Sequence, residues 1–364
     1  MPSNKRYRGG FALVMVLLLV TVAAVLGMAC LSASSMEMAG TENLRRATRA
    51  RYLGESGVYH ALALLRGDPD APAAIGGRTS TQYQADGMGD TYAYTVSGGS
   101  GGQYTLTAIA HSGGLSQAVG ATVKLSSPYN SLVTGKGPLT YWRLGETSGL
   151  TAREAIRSAN GTYYNMTLGD TGALAGDGNP SARFNGYSSY VKIPNTSLYQ
   201  AANGTIVLWF KPTSLPQSAA LLSKNNTKDQ GYNDQFEIQV NSQGRIGVEL
   251  TRYQNTRSLS GGTVHLNQWH CVAATFGSAG MKLYVNGALA ASNAYAGGLQ
   301  GNSDPIILGA SASNSPSGQG WPLNSYFRGD IDEVAVFTTA KSAQDIQQIY
   351  NAQLADVTMM SWDR

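Results

Sequence analysis

The sequence predicts a mainly β protein that begins with one long α-helix. Three observations carry this prediction. Phe11–Leu31 is apolar and uncharged, apolar residues then recur at helical spacing as far as Arg66, and short alternating segments with glycine-rich turns follow. About 20 apolar residues are enough for a helix to span the bilayer core. Strict apolar and polar alternation is typical of strands with one buried face.

The apolar run has the properties of a membrane anchor. A secretory signal peptide has a shorter apolar core of roughly 7–15 residues, followed by a small-residue cleavage site. Lys5, Arg6 and Arg8 precede the run. By the positive-inside rule, the N-terminus stays in the cytoplasm, the helix sits in the inner membrane and the rest of the chain is exported.

A small β region follows the helix. Gly67-Asp68-Pro69 is a stop signal for the helix. The segments "TYAYTVS", "QYTLTAIAHS" and "SQAVGATVKLS" alternate like three strands, with glycines in the turns between them. Residues 67–127 are therefore predicted as a small sheet and residues 128–138 as a linker. Residues 353–364 carry no recognisable pattern and are predicted as a tail.

Residues 139–352 predict a larger, separate β domain. "QFEIQVNSQGRIGVEL" is a predicted hairpin, and "MKLYVNGALAA" is another that turns at Asn286-Gly287. Asn-Gly is the strongest two-residue hairpin signal because both positions need positive φ. Short strands with closely spaced turns predict an antiparallel sandwich of two sheets.

The boundary between leader and apolar run resembles the class III signal of type IV prepilins and pseudopilins. Gly9-Gly10 stands directly before Phe11, and "SSMEMAGTENLRRATRARYLGESGVYHALALL" resembles the segment after the anchor in PilX-like minor pilins. The resemblance implies a leader at 1–10 and a pilin-like helix at 11–66. A prepilin peptidase would cut between Gly10 and Phe11, Phe11 would be N-methylated, and other pilin or pseudopilin subunits would be partners in a surface filament.

The sequence departs from the major pilins at one position. Major pilins carry Glu at the fifth mature position, where it pairs with a neighbour's N-terminal amine, and here that position is Met15. A carboxylate in lipid is costly and needs such a partner. A subunit without the carboxylate offers an incoming amine nothing to pair with, which favours a minor subunit near a filament tip.

The larger β domain resembles LamG-like, concanavalin A-like jelly rolls. The phrases that carry the resemblance stand in the family's order, and they are "YWRLGE", "ARFNGYSSYVKIP", "GTIVLWFKP", "WHCVAATF", "KLYVNGALAA", "IILGAS" and "YFRGDIDEVAVFTTAKSAQDIQQIYNA". The resemblance implies a jelly roll that binds a glycan or a surface protein, as in adhesion. The fold alone does not decide the activity.

The sequence does not predict an enzyme. Laminarinase-type relatives of this fold carry Glu-x-Asp-x-x-Glu on one strand, and the nearest text here is "GDIDEV". Asp332 and Glu333 are adjacent, so a regular strand would point them to opposite faces. Two alternatives remain open. One is an uncleaved, signal-anchored carbohydrate-binding protein, and the other is a membrane-tethered glycan hydrolase or lyase.

The LamG resemblance also implies a calcium site and ligand-binding loops. Carboxylate and amide oxygens suit Ca²⁺, and the predicted ligands are Glu154, Asn185, Asp330 and Asp332. Two loops rich in polar and aromatic residues are predicted to bind the ligand. Their candidate residues are Trp321 and Tyr326 in one loop, and Asp229, Tyr232, Asn233 and Asp234 in the other.

Composition excludes other classes of function. The chain has 364 residues, 44 of them glycine, and a formal charge of only +4. No basic run suited to nucleic acid is present, so nucleic acid is not expected as a partner. Cys30 lies in the membrane helix and Cys271 in a predicted core strand, so no intramolecular disulfide is expected.

Overall fold

The computed structural model describes residues 8–67, 83–84, 89–98, 102–225, 235–252, 255–311 and 323–363. The helices in these residues are α1 (Arg8–Gly67), α2 (Tyr129–Gly135) and α3 (Ala343–Asn351), with a 3₁₀ turn at Ser197–Tyr199. Within the described residues, α1 contains the one segment that is long and apolar enough to cross a membrane. Its exposed apolar side chains extend from Met15 to Met38.

The strands are numbered in chain order. They are β1 (Tyr83–Gln84), β2 (Thr91–Gly98), β3 (Gln103–Ser112), β4 (Leu115–Ser126), β5 (Thr140–Trp142), β6 (Thr151–Ala152), β7 (Gly161–Tyr164), β8 (Thr167–Asp170), β9 (Ser181–Asn185), β10 (Tyr190–Ile193), β11 (Gly204–Pro212), β12 (Ala219–Asn225), β13 (Gln235–Val240), β14 (Ile246–Arg252), β15 (Asn255–Gly261), β16 (His270–Phe276), β17 (Met281–Val285), β18 (Ala288–Asn293), β19 (Ile306–Leu308), β20 (Arg328–Phe337) and β21 (Asp356–Asp363).

The C-terminal half of α1 packs on a five-stranded antiparallel sheet of order β1-β2-β3-β4-β21, and we call this unit the head. Val58 and Leu65 of α1 are fully buried against Leu106 and Val123 of the sheet. Strand β3 alternates buried and exposed side chains along its whole length, as its sequence predicts. One face of the sheet is therefore covered by the helix.

The larger domain is a sandwich of two antiparallel sheets, as predicted. The front sheet has the order β15-β14-β13-β12-β19-β10-β7-β6, and the back sheet has the order β18-β17-β16-β11-β20-β9-β8 with β5 beside β20. One apolar core fills the space between the sheets, and it includes Phe210, Phe236 and Ile331. Both hairpins predicted from the sequence are confirmed as the pairs β13–β14 and β17–β18. Asn286 and Gly287 have φ values of 51° and 78°, as a two-residue hairpin turn requires.

Part of the predicted linker at 128–138 is a helix. Residues Tyr129–Gly135 form α2, which packs with α3 on the outer side of the back sheet. Tyr129 is fully buried there, and its hydroxyl accepts a hydrogen bond of 3.0 Å from the indole Nε1 of Trp209. The segment was predicted as a linker because its serine, threonine and glycine residues are typical of loops, and its helical stretch is less than two turns long.

The predicted tail at 353–364 contains a strand of the head. β21 pairs antiparallel with β4 from Asp356 opposite Ser126 to Asp363 opposite Gly120. Ala355 is fully buried in the core of the head, and the indole ring of Trp362 lies 5.6 Å from the ring of Tyr59 on α1. Because β4 and β21 are neighbours, the sandwich between them is inserted into the head rather than appended to it.

Candidate functional site

The two outer faces of the sandwich differ in what covers them. On the back sheet, α2 and α3 cover part of the outer face, where the ring of Trp209 stacks on Tyr350 of α3 at 5.8 Å. On the front sheet, the outer side chains of β7, β10 and β13 are exposed or half-buried. We call this surface the open face. A ligand that meets a sheet of the sandwich can therefore do so on the front sheet.

Two tyrosines stack on the open face, and a third tyrosine lies near one of them. Tyr163 and Val191 belong to the core between the sheets, so Tyr164 and Tyr190, one position along each strand, point outward. The rings of Tyr164 and Tyr190 stack across the β7–β10 pair, with centroids 4.4 Å apart and planes 9° apart. Burial raises the pKa of Tyr190, and the neighbouring Tyr164 and Tyr326 add to the shift. We call Tyr164, Tyr190 and Tyr326 the tyrosine row.

A polar trio lies on the outer side of the same sheet, at β12 and β13. Asn225 Nδ2 donates to Glu237 Oε2 at 2.9 Å and to Ser311 Oγ at 2.7 Å, and Ser311 Oγ donates to the same Glu237 oxygen at 2.6 Å. Burial raises the pKa of Glu237. The Oδ1 atom of Asn225 is buried, and none of the residues that the structure describes donates a hydrogen bond to it. In the front sheet, β19 lies between β10 and β12. Strand β12, which carries Asn225, is therefore about 10 Å from β10, which carries Tyr190.

Asp332 and Glu333 form a buried acidic pair, and here the sequence-based prediction was wrong. The pair was predicted to point to opposite faces of a strand. A register shift opposite Leu208 makes a β-bulge, and Glu333 has a φ of 54°. As a result both carboxylates approach the same amide, with Asn179 Nδ2 at 3.5 Å from Asp332 Oδ1 and 3.3 Å from Glu333 Oε1.

Glu333 is held by three further donors, two of them on one guanidinium. Arg143 donates to its Oε1 from Nε at 3.1 Å and from Nη2 at 2.9 Å, and the Tyr141 hydroxyl donates to Oε2. The side chain is fully buried, and this burial raises its pKa to about 7 even though Arg143 favours the charged form. Burial, together with the charge of Glu333, also raises the pKa of Asp332.

A polar cleft of about 450 Å³ opens beside this pair. Arg143 and Asn179 form part of its wall, together with Gly145, Glu146, Thr147, Ser148, Arg153 and Ala155. Glu146 is the one carboxylate among these residues, and it already accepts hydrogen bonds from the Tyr163 hydroxyl at 2.6 Å and the Arg153 amide at 3.0 Å. The described wall therefore offers no pair of free carboxyl groups.

Comparison with known families separates the chain into two parts. Residues 9–58 match the model of the PilX N-terminal family. Residues 185–347 match the model of the concanavalin A-like lectin/glucanases superfamily. The chain joins a PilX-type N-terminus to a concanavalin A-like domain. Both resemblances stated from the sequence are thereby confirmed. No curated protein matches the chain.

Solved structures resemble the chain at low sequence identity. Domain 4 of AbnA, a GH43 extracellular arabinanase from Geobacillus stearothermophilus in complex with arabinotriose, is 18% identical, with 63% of this chain and 98% of that chain covered and a TM-score of 0.40. The Ruminococcus gnavus IT-sialidase CBM40 bound to alpha2,3 sialyllactose is 23% identical, with 42% and 84% covered and a TM-score of 0.36. The binding domain of Botulinum neurotoxin serotype G is 16% identical, with 59% and 50% covered and a TM-score of 0.40.

The predicted ligand residues of the concanavalin A-like domain divide into two groups. Tyr326 belongs to the tyrosine row. Trp321, Asp229, Tyr232, Asn233 and Asp234 lie outside the described residues. Tyr164 and Tyr190 were missed, although a signal was present in the sequence. In "GTYYN" and "SYVKI" an aromatic residue stands next to a core position, where the alternation of a strand places it on the other face.

Glu154, the first predicted calcium ligand, does not fit that role. Its carboxylate accepts backbone N–H bonds from Tyr141 at 2.7 Å, Ile156 at 2.9 Å and Ala159 at 3.3 Å, and also from Arg157. Four donors occupy its two oxygens, so the side chain organises the loop around itself. The Oδ1 atom of Asn185 likewise accepts three backbone N–H groups in its own turn.

The two predicted aspartate ligands also have protein partners. Asp330 is fully buried, and its carboxylate lies 3.0 Å from Arg183 Nε and 3.3 Å from Lys211 Nζ. Asp332 accepts the Ala173 amide at 2.8 Å. Within the described part of the chain, no group of three or more His, Cys, Asp or Glu side chains is arranged to hold a metal ion. Calcium binding stays a prediction, and these contacts argue against these four residues as its ligands.

Proposed function

We propose that this protein is a minor pilin-like surface subunit that displays its concanavalin A-like domain to bind a glycan, or a surface protein, in adhesion. The observation that supports it most is the tyrosine row on the open face. Helix α3 covers the ring of Trp209 on the back sheet, whereas Tyr164 and Tyr190 lie on strands whose outer side chains are exposed or half-buried. The proposed mechanism is display, with no chemical step on the ligand.

The chemistry of the open face suits a saccharide. Sugar-binding sites combine flat aromatic rings with a few fixed polar groups that set the orientation of the ligand. Here the rings are those of Tyr164, Tyr190 and Tyr326. The polar groups are those of the trio on the same sheet, where the buried Asn225 Oδ1 has no donor among the described residues. Tyr164 is 37% exposed, so its ring edge is accessible while its face supports Tyr190.

The helix supports the pilin part of the proposal. α1 is continuous from Arg8 to Gly67, so the backbone on both sides of Gly10 and Phe11 belongs to the same helix as the head. The exposed apolar side chains from Met15 onward suit lipid before assembly and neighbouring helices after it. Met15 at the fifth mature position supports a place near the filament tip, where no later subunit needs a carboxylate.

The test is a glycan array probed with the purified chain, with and without a calcium chelator, followed by titration of the best glycan. Tyr190→Ala should weaken binding at least about tenfold, because a buried aromatic anchor commonly contributes more than about 1–2 kcal/mol. Tyr52→Ala is the matched control, since Tyr52 is an exposed tyrosine on α1. Unchanged binding by the Tyr190 variant would show that the tyrosine row is not part of the binding site. If the purified chain binds none of the glycans on the array, the proposed glycan binding is contradicted.

The rival functions predict different results. A membrane-tethered glycan hydrolase or lyase would convert a bound polysaccharide, and the described cleft offers it only Glu146 as a lining carboxylate. Retaining glycosidases need two carboxyl groups about 5–5.5 Å apart. An uncleaved, signal-anchored binding protein would bind the same glycans but would keep residues 1–10. The mass of the N-terminal peptide separates that protein from a pilin.

A further inference from the structure

The sandwich contributes a core residue to the head, through the loop 171–180 between β8 and β9, which we call the bridging loop. Ala175 at its tip is 3% exposed and belongs to the same apolar cluster as Leu125 and Ala355. Gly176 has a φ of 70°, and a Cβ there would lie 2.8 Å from the Leu125 Cβ. The loop backbone therefore lies directly against β4 of the head.

Away from its tip, the bridging loop is fixed to the sandwich at both of its ends. The Ala173 amide donates to Asp332 Oδ2 at 2.8 Å, and Asp177 pairs with Arg143 at 2.7 Å. Arg143 in turn bonds Glu333. A Cβ at Gly172 would lie 2.1 Å from the Asn179 carbonyl oxygen, so the two ends of the loop are packed closely. The buried acidic pair, which the proposed display function does not use, thus holds the loop that reaches the head.

The head also depends on chain that follows the sandwich. β21 pairs with the outer edge of β4 from Gly120 to Ser126. Arg66 Nε on α1 donates to the Ala355 carbonyl at 3.2 Å, and the Tyr59 ring meets Trp362. The last strand therefore reaches α1 only after the whole inserted domain has been made. Ser126 of β4 pairs with Asp356 of β21. If the sandwich were unfolded, a long flexible chain would connect these two strands. Bringing the strands together would then cost the entropy of closing that loop.

We propose that the folded sandwich completes the head, so that the head reaches its stable state only in chains whose sandwich has folded. The bridging loop supplies the missing part of the core, and the folded sandwich holds β4 and β21 side by side. In a filament, this dependence would admit only subunits that carry a folded binding domain. That consequence rests on the proposed pilin function, whereas the dependence itself is a property of the purified chain.

The decisive experiment is hydrogen exchange, read by peptide mass, on the full chain in detergent micelles over a urea series. Phe236→Ala removes a fully buried ring from the core between the sheets, on β13 and not in the head. We expect amide protection in β3, β4 and β21 to fall at the lower urea concentration at which the sandwich of this variant opens. Head peptides that keep their wild-type midpoint while sandwich peptides shift would overturn the proposal. Phe236→Leu gives the same test if the alanine variant does not fold.

A second variant tests the bridging loop itself. Ala175→Asp places an unpaired charge in the core of the head, and we expect protection of β4 and β21 to fall at least about tenfold. Ala155→Asp, at an exposed position of the same domain, is the matched control and should leave the head unchanged. If Ala175→Asp leaves protection of the head at the wild-type level, the loop does not complete its core. Because these readings need no filament, they can fail while the pilin function holds, and the reverse is also true.

Discussion

Glu333 is a fully buried carboxyl group on a residue with left-handed backbone, and burial raises its pKa to about 7. In the unfolded chain the group titrates near its ordinary value of about 4.3. The native state therefore binds the proton more tightly than the unfolded state. Between these two values, this group makes the domain less stable as the pH rises.

Glu333→Gln should remove the share of the pH dependence that Glu333 contributes. The stability advantage of the wild-type chain over the variant should grow as the pH is lowered from about 8 to about 5, because the wild type takes up the Glu333 proton on folding there and the variant does not. Urea unfolding of the two chains at several pH values measures the difference. A constant difference across this range would show that the carboxyl has an ordinary pKa in the folded state.

Lys224 is a second buried charge, and three oxygens surround it. Its Nζ donates to Asn195 Oδ1 at 2.8 Å, to the Asn302 carbonyl at 2.8 Å, and to the Asp304 carbonyl. Burial lowers its pKa to about 8, so the ammonium form still prevails at pH 7. One side chain thus ties together the ends of β10, β12 and the segment before β19.

Lys224→Met should lower the free energy of unfolding by about 3 kcal/mol, because two buried acceptors and one half-buried acceptor lose the ammonium donor. Thermal and urea unfolding of the full chain measure the loss. Lys282→Met, a half-buried lysine on β17, is the control and should change stability by less than about 0.5 kcal/mol. If the Lys224 variant is as stable as this control, the three acceptor oxygens must be hydrogen-bonded to water in place of the ammonium group.

At the scale of elements, the sequence predicts an element well where its pattern reflects burial. β3 and the hairpin β13–β14 alternate in sequence and in exposure, so both were predictable. β21 is an edge strand in which most side chains are exposed, including Met359 and Met360, so no alternation marks it. The β-bulge at Glu333 also left no signal, because it depends on pairing with β11 rather than on local residues.

The short helix α2 is attached to the back sheet through one buried hydrogen bond. Tyr129→Phe would leave the indole N–H of Trp209 without its acceptor, at no change in packing volume. We expect a loss of about 1–2 kcal/mol in the free energy of unfolding. The measurement is the urea midpoint, with Tyr52→Phe on the exposed side of α1 as control. Equal midpoints for the two variants would mean that α2 is held by apolar contact alone.

At the scale of the whole molecule, the candidate site was predictable in part. Tyr326 was named as a candidate from its loop and its ligand role stays a prediction, whereas the choice of Tyr164 and Tyr190 depends on which sheet keeps an uncovered outer face. The local pattern in β7 and β10 places these tyrosines opposite the core, but it does not indicate that α2 and α3 cover part of the back sheet and leave the front sheet uncovered. The insertion was equally hidden, because it depends on the pairing of Ser126 with Asp356 across the whole inserted domain.

Processing of the N-terminus determines whether the head and the sandwich belong to a filament subunit. In a pilin, removal of residues 1–10 would leave α1 beginning at Phe11, with the cationic leader lost and the apolar segment from Met15 free to leave the bilayer for a helix bundle. We expect native membranes and sheared surface material to yield a peptide that begins at N-methylated Phe11. Gly10→Val should block cleavage and keep the chain in the membrane fraction. A native peptide that begins at Met1 or Pro2 would instead leave α1 a permanent anchor. The open face would then bind its ligand at the membrane rather than on a filament. In that case Met15 would not be evidence for a position at a filament tip.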